Sequence, residues 1–316
     1  MSAAAPLGVA ALLVVAVACT AAGPTAPSAP ARPSSTFTPL RWRSIAPLPV
    51  PRSHLGAVSL DGLVYAIGGL PRGATHGSLA FDRYDPRADT WTSMTTLPEP
   101  TDHAAVASLG SAIYVLGGTF AAPTARSYRF DTGRATWSSV APLPVPRAAA
   151  GAASLQGRIY VAGGFDARRA ELSSVESYDP ATDAWSHVTE LPTPRDHLAV
   201  TSYRGMVCML GGHVDDSGTQ TDRVECYSPS TDRWSVLPAM IHPASDFDVT
   251  VVNDAIWAVG DAVQIFDGGR WWDGPPLDVP RFGVAAASSS GSVFVIGGVA
   301  RRAAPDGLVD RLDVHQ

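Results

Sequence analysis

A tryptophan followed 26 residues later by a glycine occurs six times in this chain, and this fixed interval constrains the fold more than any other feature. The pairs are Trp42 and Gly68, Trp91 and Gly117, Trp137 and Gly163, Trp185 and Gly211, Trp234 and Gly260, and Trp271 and Gly297. Five of these glycines are followed by a second glycine, whereas Gly260 is followed by Asp261. An interval kept six times is an internal repeat, and a period of about 50 residues is typical of a propeller or another repeat array.

Each repeat has the pattern of four short strands, which we call A, B, C and D in chain order. In the second repeat they are predicted at residues 103–109, 112–118, 125–131 and 135–140. Pairs such as Asp61-Gly62 and Gln156-Gly157 join A to B and predict two-residue hairpin turns. Segments such as DPRADT and DPATDA join C to D and have the residue types of turns. The repeat is therefore predicted to be an antiparallel four-stranded sheet.

The A strands are rich in alanine, glycine, serine and valine, as in AVSL, AAVASL and AGAASL. Innermost strands crowd around an axis, where large side chains would clash at native packing density. The first tryptophan strand, residues 41–46, has no A, B or C strand before it, and the last repeat has no tryptophan strand. We therefore expect residues 41–46 to complete the last sheet and to close the ring.

Four apolar residues, a Gly-Gly pair, a variable loop, a tyrosine and then a tryptophan make each repeat similar to the kelch repeat. The resemblance covers residues 40–316. It implies an all-β, six-bladed kelch-type β-propeller of four-stranded antiparallel blades, closed by the N-terminal strand. The segment that precedes the repeats predicts an exported bacterial member of this family.

That segment begins with an apolar run at residues 7–18, which is too short to span a bilayer. The run ends in Ala16-Val17-Ala18 and is followed by Cys19, and this end resembles a bacterial lipoprotein signal, in which Cys19 would carry the lipid. There are two alternatives. One is cleavage after an Ala-x-Ala motif, which would release a secreted protein, and the other is a buried N-terminal helix. We expect a signal peptide at 1–19, a Pro/Ala/Ser-rich linker at 20–39 and the propeller at 40–316, outside the cell and either lipid-anchored or secreted.

Charge narrows the classes of function. The net charge is −6 with no run of like charges, so the basic footprint of a nucleic-acid-binding protein is missing. All basic side chains other than histidine are arginine, which excludes Schiff-base lysines and a P-loop lysine. We expect a monomer that contacts the membrane through its lipid anchor alone.

Arginines recur at the D–A connections, ten residues after the tryptophan: Arg52, Arg147, Arg195 and Arg281. Because successive strands reverse direction, these elbows and the long B–C loops share one face, where function is expected. In kelch propellers that bind peptides, arginines at this elbow line the central pocket, and the resemblance implies that these four could grip carboxylates. The alternative is that they cap strand ends and bind neighbouring carbonyls. The loop residues Arg168, Arg169, Arg301 and Arg302 add positive charge and favour an anionic ligand.

Histidines recur two residues further on, at His54, His103 and His197, and are further candidates for ligand binding on this face. The alternative is that they start strands and bind loop carbonyls. Equivalent positions on different blades are expected to lie much further apart than the ~4 Å between neighbouring zinc ligands, so we predict no metal and no other cofactor. Asp102-His103 and Asp196-His197 resemble acid–base pairs, but neighbours in a strand are expected to point to opposite faces. The segment Asp215-Asp216-Ser217-Gly218 lacks the spacing of a calcium loop and is predicted to be a turn.

Cys208 stands at a position that holds an aromatic residue in the other repeats. Cys226 stands at a position that holds a polar residue in most of them. If Gly212 pairs with Asp222, the two cysteines lie across from each other in the B–C hairpin. Replacement of both members of a pair favours a cross-strand disulfide, as expected for an exported protein; two unbonded core cysteines are the alternative.

Three functions fit the sequence. The first is a module that binds a protein, a peptide or a glycan through the arginine-bearing face. The second is a sugar-active enzyme resembling N-acetylneuraminate epimerase, which acts on an acidic sugar; in that case the histidines would serve as acid or base. The third is a scaffold that assembles through its blade edges. No nucleophile–base constellation is readable, so no catalytic residue is assigned.

Overall fold

The computed structural model describes residues 40–300 and 307–314, and all regular secondary structure within these ranges is β. No helix capable of crossing a membrane is found in this part of the chain. The first half contains β1 (Arg43–Ser44), β2 (Arg52–Ser53), β3 (Gly56–Leu60), β4 (Leu63–Ile67), β5 (Leu70–Pro71), β6 (Phe81–Asp85), β7 (Thr90–Ser93), β8 (Ala105–Leu109), β9 (Ala112–Leu116), β10 (Ser127–Asp131), β11 (Thr136–Ser139), β12 (Gly151–Leu155), β13 (Arg158–Ala162) and β14 (Val175–Asp179). The second half contains β15 (Ala184–Val188), β16 (Ala199–Tyr203), β17 (Met206–Leu210), β18 (Val224–Ser228), β19 (Arg233–Leu237), β20 (Asp248–Val252), β21 (Ala255–Val259), β22 (Val263–Phe266), β23 (Trp271–Asp273), β24 (Arg281–Phe282), β25 (Ala285–Ser289), β26 (Ser292–Ile296), β27 (Val299–Ala300) and β28 (Val309–Asp313).

These strands form six four-stranded antiparallel sheets, so the predicted six-bladed propeller is confirmed. From the inside outward, blades 1 to 6 are β3-β4-β6-β7, β8-β9-β10-β11, β12-β13-β14-β15, β16-β17-β18-β19, β20-β21-β22-β23 and β25-β26-β28-β1. Two short ribbons, β2-β5 and β24-β27, join an elbow to the B–C loop of the same blade. The signal peptide, Cys19, the linker, Arg301 and Arg302 lie outside the described residues.

The ring closes as the sequence predicts. The N-terminal strand β1 pairs with β28, with Arg43 opposite Arg311 and Ser44 opposite Asp310. Each innermost strand contacts the innermost strand of the next blade, and β25 of blade 6 contacts β3 of blade 1. The apolar core lies between successive blades. Between blades 2 and 3, for example, Tyr114 and Leu116 pack with Ile159 and Tyr178.

The repeated tryptophan joins neighbouring blades. Each of the six donates its indole N–H to a backbone carbonyl at the end of the preceding blade. The pairs are Trp42 to Pro275, Trp91 to Ala46, Trp137 to Thr95, Trp185 to Ala141, Trp234 to Thr189 and Trp271 to Pro238. Tryptophan suits this position because its large apolar ring packs between the blades while its indole N–H forms a hydrogen bond.

The glycine that ends the 26-residue interval lies where strand B meets two elbows. Gly163 and Gly164 have φ values of +64° and +87°, a conformation that side chains disfavour. A Cβ atom on Gly163 would stand 2.5 Å from the carbonyl oxygen of Arg195, and one on Gly164 would stand 2.6 Å from that of Ala148. The pair therefore lets the end of the strand approach the elbows of its own blade and of the next one.

Candidate functional site

The four elbow arginines are buried inside the blades and do not line a pocket, so the predicted arginine ring for ligand carboxylates is wrong. Each side chain is fully buried and faces a carboxylate on strand C of its own blade. The nitrogen–oxygen distances are 2.7 Å for Arg52 and Asp82, 3.6 Å for Arg147 and Glu176, 2.6 Å for Arg195 and Glu225, and 2.8 Å for Arg281 and Asp310. The same guanidinium groups also donate to strand carbonyls, such as Met209 for Arg195. A buried charge requires such partners, so the arginines hold the blade together.

The acidic partners were not predicted, although the sequence carries a signal for them. In three of the four arginine blades the acid stands two residues before the strand C tyrosine, as Glu176 stands before Tyr178. Blade 2 has Thr101 in place of the arginine and Tyr128 in place of the acid, and blade 5 has Ala244 and Gln264. The arginine and the acid are thus present together or absent together in all six blades. That correlation indicates a pair within the blade.

Two residues beyond each arginine, the backbone forms a closed ring around the axis. The six equivalent residues, His54, His103, Ala149, His197, Asp246 and Gly283, all have φ between +48° and +62°. Each donates its backbone N–H to the carbonyl of the equivalent residue in the preceding blade, at 2.6–3.2 Å, and His54 donates to Gly283. These hydrogen bonds bring equivalent residues of adjacent blades into direct contact.

The side chains on this ring therefore lie much closer together than the sequence analysis predicted. The rings of His54 and His103 stack with their centroids 4.3 Å apart. The Oδ1 atom of Asp246 lies 3.3 Å from Nε2 of His54 and 3.6 Å from Nε2 of His197. Ligand atoms of His54, His103 and Asp246 all lie within 4.8 Å of one another. The prediction that these residues lie too far apart to share a ligand is therefore wrong. It assumed that they lie on extended strands, whereas they lie on the innermost hydrogen-bonded ring.

In each of the two Asp–His pairs the neighbouring side chains contact each other, contrary to the expectation that they point to opposite faces. Nδ1 of His103 lies 2.8 Å from Oδ1 of Asp102, and Nδ1 of His197 lies 2.8 Å from Oδ1 of Asp196. The positive φ of each histidine interrupts the alternation of an extended strand, so consecutive side chains turn to the same side. A further histidine, His213 from a B–C loop, lies 3.3 Å from Asp196 through its Nδ1 atom.

The cluster keeps its carboxylates ionised. Burial would raise the pKa of Asp246, but the hydrogen bond from His54 and the nearby imidazoles hold that pKa well below its ordinary value. The pKa values of Asp102 and Asp196 are lowered in the same way, since hydrogen bonds from His103 and His197 outweigh burial. Burial lowers the pKa of His103 to about 4, so its imidazole is neutral at pH 7.

The ring of elbow residues separates two cavities on the propeller axis. Towards the elbow and B–C loop face, a funnel of about 770 Å³ has His54, His103, His197 and Asp246 at its floor. Beyond the ring, a channel of about 360 Å³ runs between the innermost strands. Asp248 lines this channel, and burial raises its pKa to about 7 although Ala286 and Val249 donate backbone N–H groups to it.

One wall of the funnel is aromatic. Phe120 is 39% exposed, contacts Phe165 edge-on with centroids 5.4 Å apart and lies 4.8 Å from the ring of His103. The guanidinium of Arg169 lies 4.0 Å from the centroid of Phe120 and 4.5 Å from that of Phe165. The guanidinium thus makes cation–π contacts with both rings, and the exposed part of Phe120 is an apolar surface next to this cation.

The described lining of the funnel is acidic. Arg169 is its one arginine, whereas six carboxylates line it: Asp102, Glu171, Asp196, Asp215, Asp216 and Asp246. Arg168 is exposed on the loop that carries Arg169. Asp215 caps its own loop by accepting hydrogen bonds from the backbone of Ser217 and Thr219, which is the plain turn that the sequence predicts.

The two cysteines of blade 4 lie away from the funnel. Cys208 of β17 pairs directly with Cys226 of β18, and their sulfur atoms are bonded. Both side chains are fully buried in the core between blades 4 and 5.

Comparison with known proteins identifies the repeat. The KLHDC2/KLHL20/DRC7 Kelch-repeats domain matches residues 53–261, which is more than half of the chain. No curated protein sequence matches at a significant level. A solved structure described as "Structure of YjhT" superimposes with a TM-score of 0.74 at 17% identity, covering 86% of this chain and 97% of that one. At this identity the likeness concerns the fold. The six repeats, the closed ring of blades and the family match lead to one conclusion: this chain belongs to the family of kelch-repeat domains.

Proposed function

We propose that this kelch propeller is an exported binding module that takes up a protein, peptide or glycan ligand in the axial funnel. The observation that carries the proposal is the funnel itself, which combines a floor of paired histidines and aspartates with the wall of Phe120, Phe165 and Arg169. Its volume of about 770 Å³ falls in the range of pockets that enclose a small ligand or a few residues of a larger one.

The charge of the lining favours neutral or basic ligand groups over acidic ones. An acidic ligand was expected from the elbow arginines and from the loop residues Arg168, Arg169, Arg301 and Arg302. The elbow side chains are paired with Asp82, Glu176, Glu225 and Asp310 inside the blades, and Arg301 and Arg302 lie outside the described residues. Carboxylates dominate the described lining instead. A basic peptide segment or a neutral sugar that stacks on Phe120 matches this surface best.

Binding assays with two matched variants test the proposal. Arrays of peptides and glycans are probed with the wild type, with Phe120→Ala and with Trp272→Ala. Trp272 is a suitable control because it is also an exposed aromatic residue with an arginine over its ring, Arg270, but it belongs to the outermost strand of blade 5. Saturable binding that Phe120→Ala weakens at least tenfold and Trp272→Ala leaves unchanged supports the funnel. Absence of any ligand, or equal loss in both variants, contradicts it and favours a scaffold.

A sugar-active enzyme is the second candidate, and the Asp102–His103 and Asp196–His197 contacts favour it. A carboxylate that orients an imidazole at the floor of a pocket is suited to general acid–base chemistry, such as interconversion of sugar anomers. Exchange spectroscopy of reducing sugars by nuclear magnetic resonance, with and without the protein, tests this alternative. Catalysed exchange that His197→Gln abolishes would favour the enzyme over the module.

Export and lipid attachment at Cys19 are part of the same proposal. The buried Cys208–Cys226 disulfide supports export, since such bonds persist in oxidising compartments. Metabolic labelling with a radioactive fatty acid should mark the wild type and leave Cys19→Ala unmarked. Labelling of both, or of neither, would argue against the lipid anchor.

A further inference from the structure

We propose that the ring of elbow residues binds one divalent transition-metal ion of the zinc class, with Asp246 as the central ligand and the imidazoles of His54, His197 and His103 around it. This site does not depend on the identity of any ligand in the funnel. It rests on the spacing of the donor atoms, on the partners of the imidazoles, and on the two small residues that complete the ring.

The donor spacing fits a single ion. Nitrogen and oxygen ligands at 2.0–2.1 Å from a tetrahedral zinc ion stand about 3.3 Å apart. Oδ1 of Asp246 lies 3.3 Å from Nε2 of His54 and 3.6 Å from Nε2 of His197. The donor atoms of His54, His103 and Asp246 all lie within 4.8 Å of one another. Small rotations of side chains would therefore place these three donors on one ion, and His197 is the fourth candidate because it lies 3.6 Å from the same Asp246 oxygen.

The imidazoles are oriented in the way that metal-binding histidines usually are. Nδ1 of His54 lies 3.0 Å from the Ser53 hydroxyl, while Nδ1 of His103 and of His197 lie 2.8 Å from Asp102 and Asp196. A partner on Nδ1 fixes the ring and its tautomer and leaves Nε2 for the metal. Each of the three imidazoles thus has its own supporting group on the residue that precedes it in the sequence.

The two remaining ring positions make room for the donor side chains. They hold Ala149 and Gly283, and the His54 imidazole lies over Gly283, where a Cβ atom would stand 2.9 Å from its Nε2 atom. The ion would be enclosed on one side by donors and would face the funnel, whose floor these donors form, with any open coordination position. Nitrogen and carboxylate donors without a thiolate suit Zn²⁺, Co²⁺, Ni²⁺ or Cu²⁺ better than Ca²⁺ or Mg²⁺.

Metal titration of the full chain tests the site. The protein is stripped with a chelator and titrated with Zn²⁺ by calorimetry, and metal content is measured after dialysis. We expect one Zn²⁺ per chain, and we expect His54→Gln and Asp246→Asn each to raise the dissociation constant at least tenfold. His242→Gln is the matched control, because His242 forms an exposed histidine–aspartate pair with Asp273, outside the ring, with a separation of 3.1 Å.

A spectroscopic signature separates this site from adventitious binding. Co²⁺ in the ring should give visible absorption bands of a nitrogen- and oxygen-bound ion of low coordination number, without thiolate charge-transfer bands. Asp196→Asn, which alters a supporting group and keeps all four donors, should weaken Zn²⁺ binding about tenfold while retaining one ion per chain. Absence of stoichiometric binding of Zn²⁺ and Co²⁺, or affinities that His54→Gln and Asp246→Asn leave equal to that of His242→Gln, would overturn the proposal. Thermal unfolding of each variant without metal confirms that it is folded.

Discussion

Trp42 donates its indole N–H to the carbonyl oxygen of Pro275 at 2.7 Å, across 233 residues of the chain. The hydrogen bond joins the N-terminal strand of blade 6 to the end of blade 5, so it belongs to the closure of the ring. We expect Trp42→Phe to lower the free energy of unfolding by about 1 kcal/mol, because one hydrogen bond is lost while most of the ring contact remains. Urea unfolding measures this.

Trp185→Phe provides the reference for that prediction. Trp185 makes the same bond between two interior blades, to Ala141 at 2.8 Å. Similar losses in the two variants indicate that the closing contact is as tight as an interior one. A neutral Trp42→Phe beside a destabilising Trp185→Phe would show that the N-terminal strand contributes little to closure.

The buried ion pairs predict a large loss of stability when one partner is removed. Arg195 and Glu225 are both almost completely excluded from solvent and lie 2.6 Å apart. Arg195→Ala leaves Glu225 as an uncompensated buried charge, and we expect a loss of about 3–5 kcal/mol in the free energy of unfolding. Arg134→Ala is the control, since Arg134 is 81% exposed in its ion pair and should change stability very little. A loss below 1 kcal/mol for Arg195→Ala would contradict the structural role.

Blade 2 suggests how such a pair can be replaced without that penalty. It carries Thr101 and Tyr128 at the positions of the arginine and the acid. We expect Arg147→Thr combined with Glu176→Tyr to destabilise the protein less than Arg147→Ala alone, because no buried charge is left unpaired. Thermal unfolding of the single and double variants measures the difference. A double variant that loses more stability than Arg147→Ala would show that the pair is not a self-contained unit.

Most of the fold could be predicted from the sequence, because the constraints are repeated six times and each one is local. The tryptophan-to-glycine interval fixed the repeat, and the small residues of one strand identified the inside. Trp42, standing without preceding strands, predicted the closure with β28. All three signals depend on strand order and packing, and these follow from short-range residue patterns.

The site could be predicted much less well, because its geometry depends on backbone conformation at one residue per blade. An arginine at the elbow suits a pocket and a buried pair equally, and the matching acids lie about 30 residues further along the chain. The positive φ of His54, His103 and His197 placed their side chains on a ring that strand periodicity does not foresee. Gly283 and Asp246 at equivalent positions were the available signal, since glycine and aspartate favour that conformation.

The disulfide of blade 4 can be tested chemically. Cys208 and Cys226 are bonded at a sequence separation of 18, so we expect denatured protein to show no free thiol from either residue. Replacing both by alanine should lower the free energy of unfolding by about 3 kcal/mol, the effect of opening a loop of this length. Reductant should lower the melting temperature of the wild type and leave that of the double variant unchanged. Two free thiols in the denatured, unreduced protein would contradict the bond.

The turn aspartates predict how stability depends on acid. Asp183 accepts the backbone N–H of Ala141 from the preceding blade at 2.8 Å and the hydroxyl of Tyr178 at 2.6 Å. These bonds lower the pKa of Asp183, the backbone bond contributing most, so the folded state holds its proton less tightly than the unfolded chain does. The stabilisation is therefore complete above the unfolded pKa of about 3.9 and is lost as the pH falls through the folded value. We expect Asp183→Ala to be less stable than the wild type at pH 7 and the difference to narrow steadily below pH 4. Urea unfolding at several pH values measures it, and a difference that stays constant down to pH 2 would show that the carboxylate charge plays no part in joining the blades.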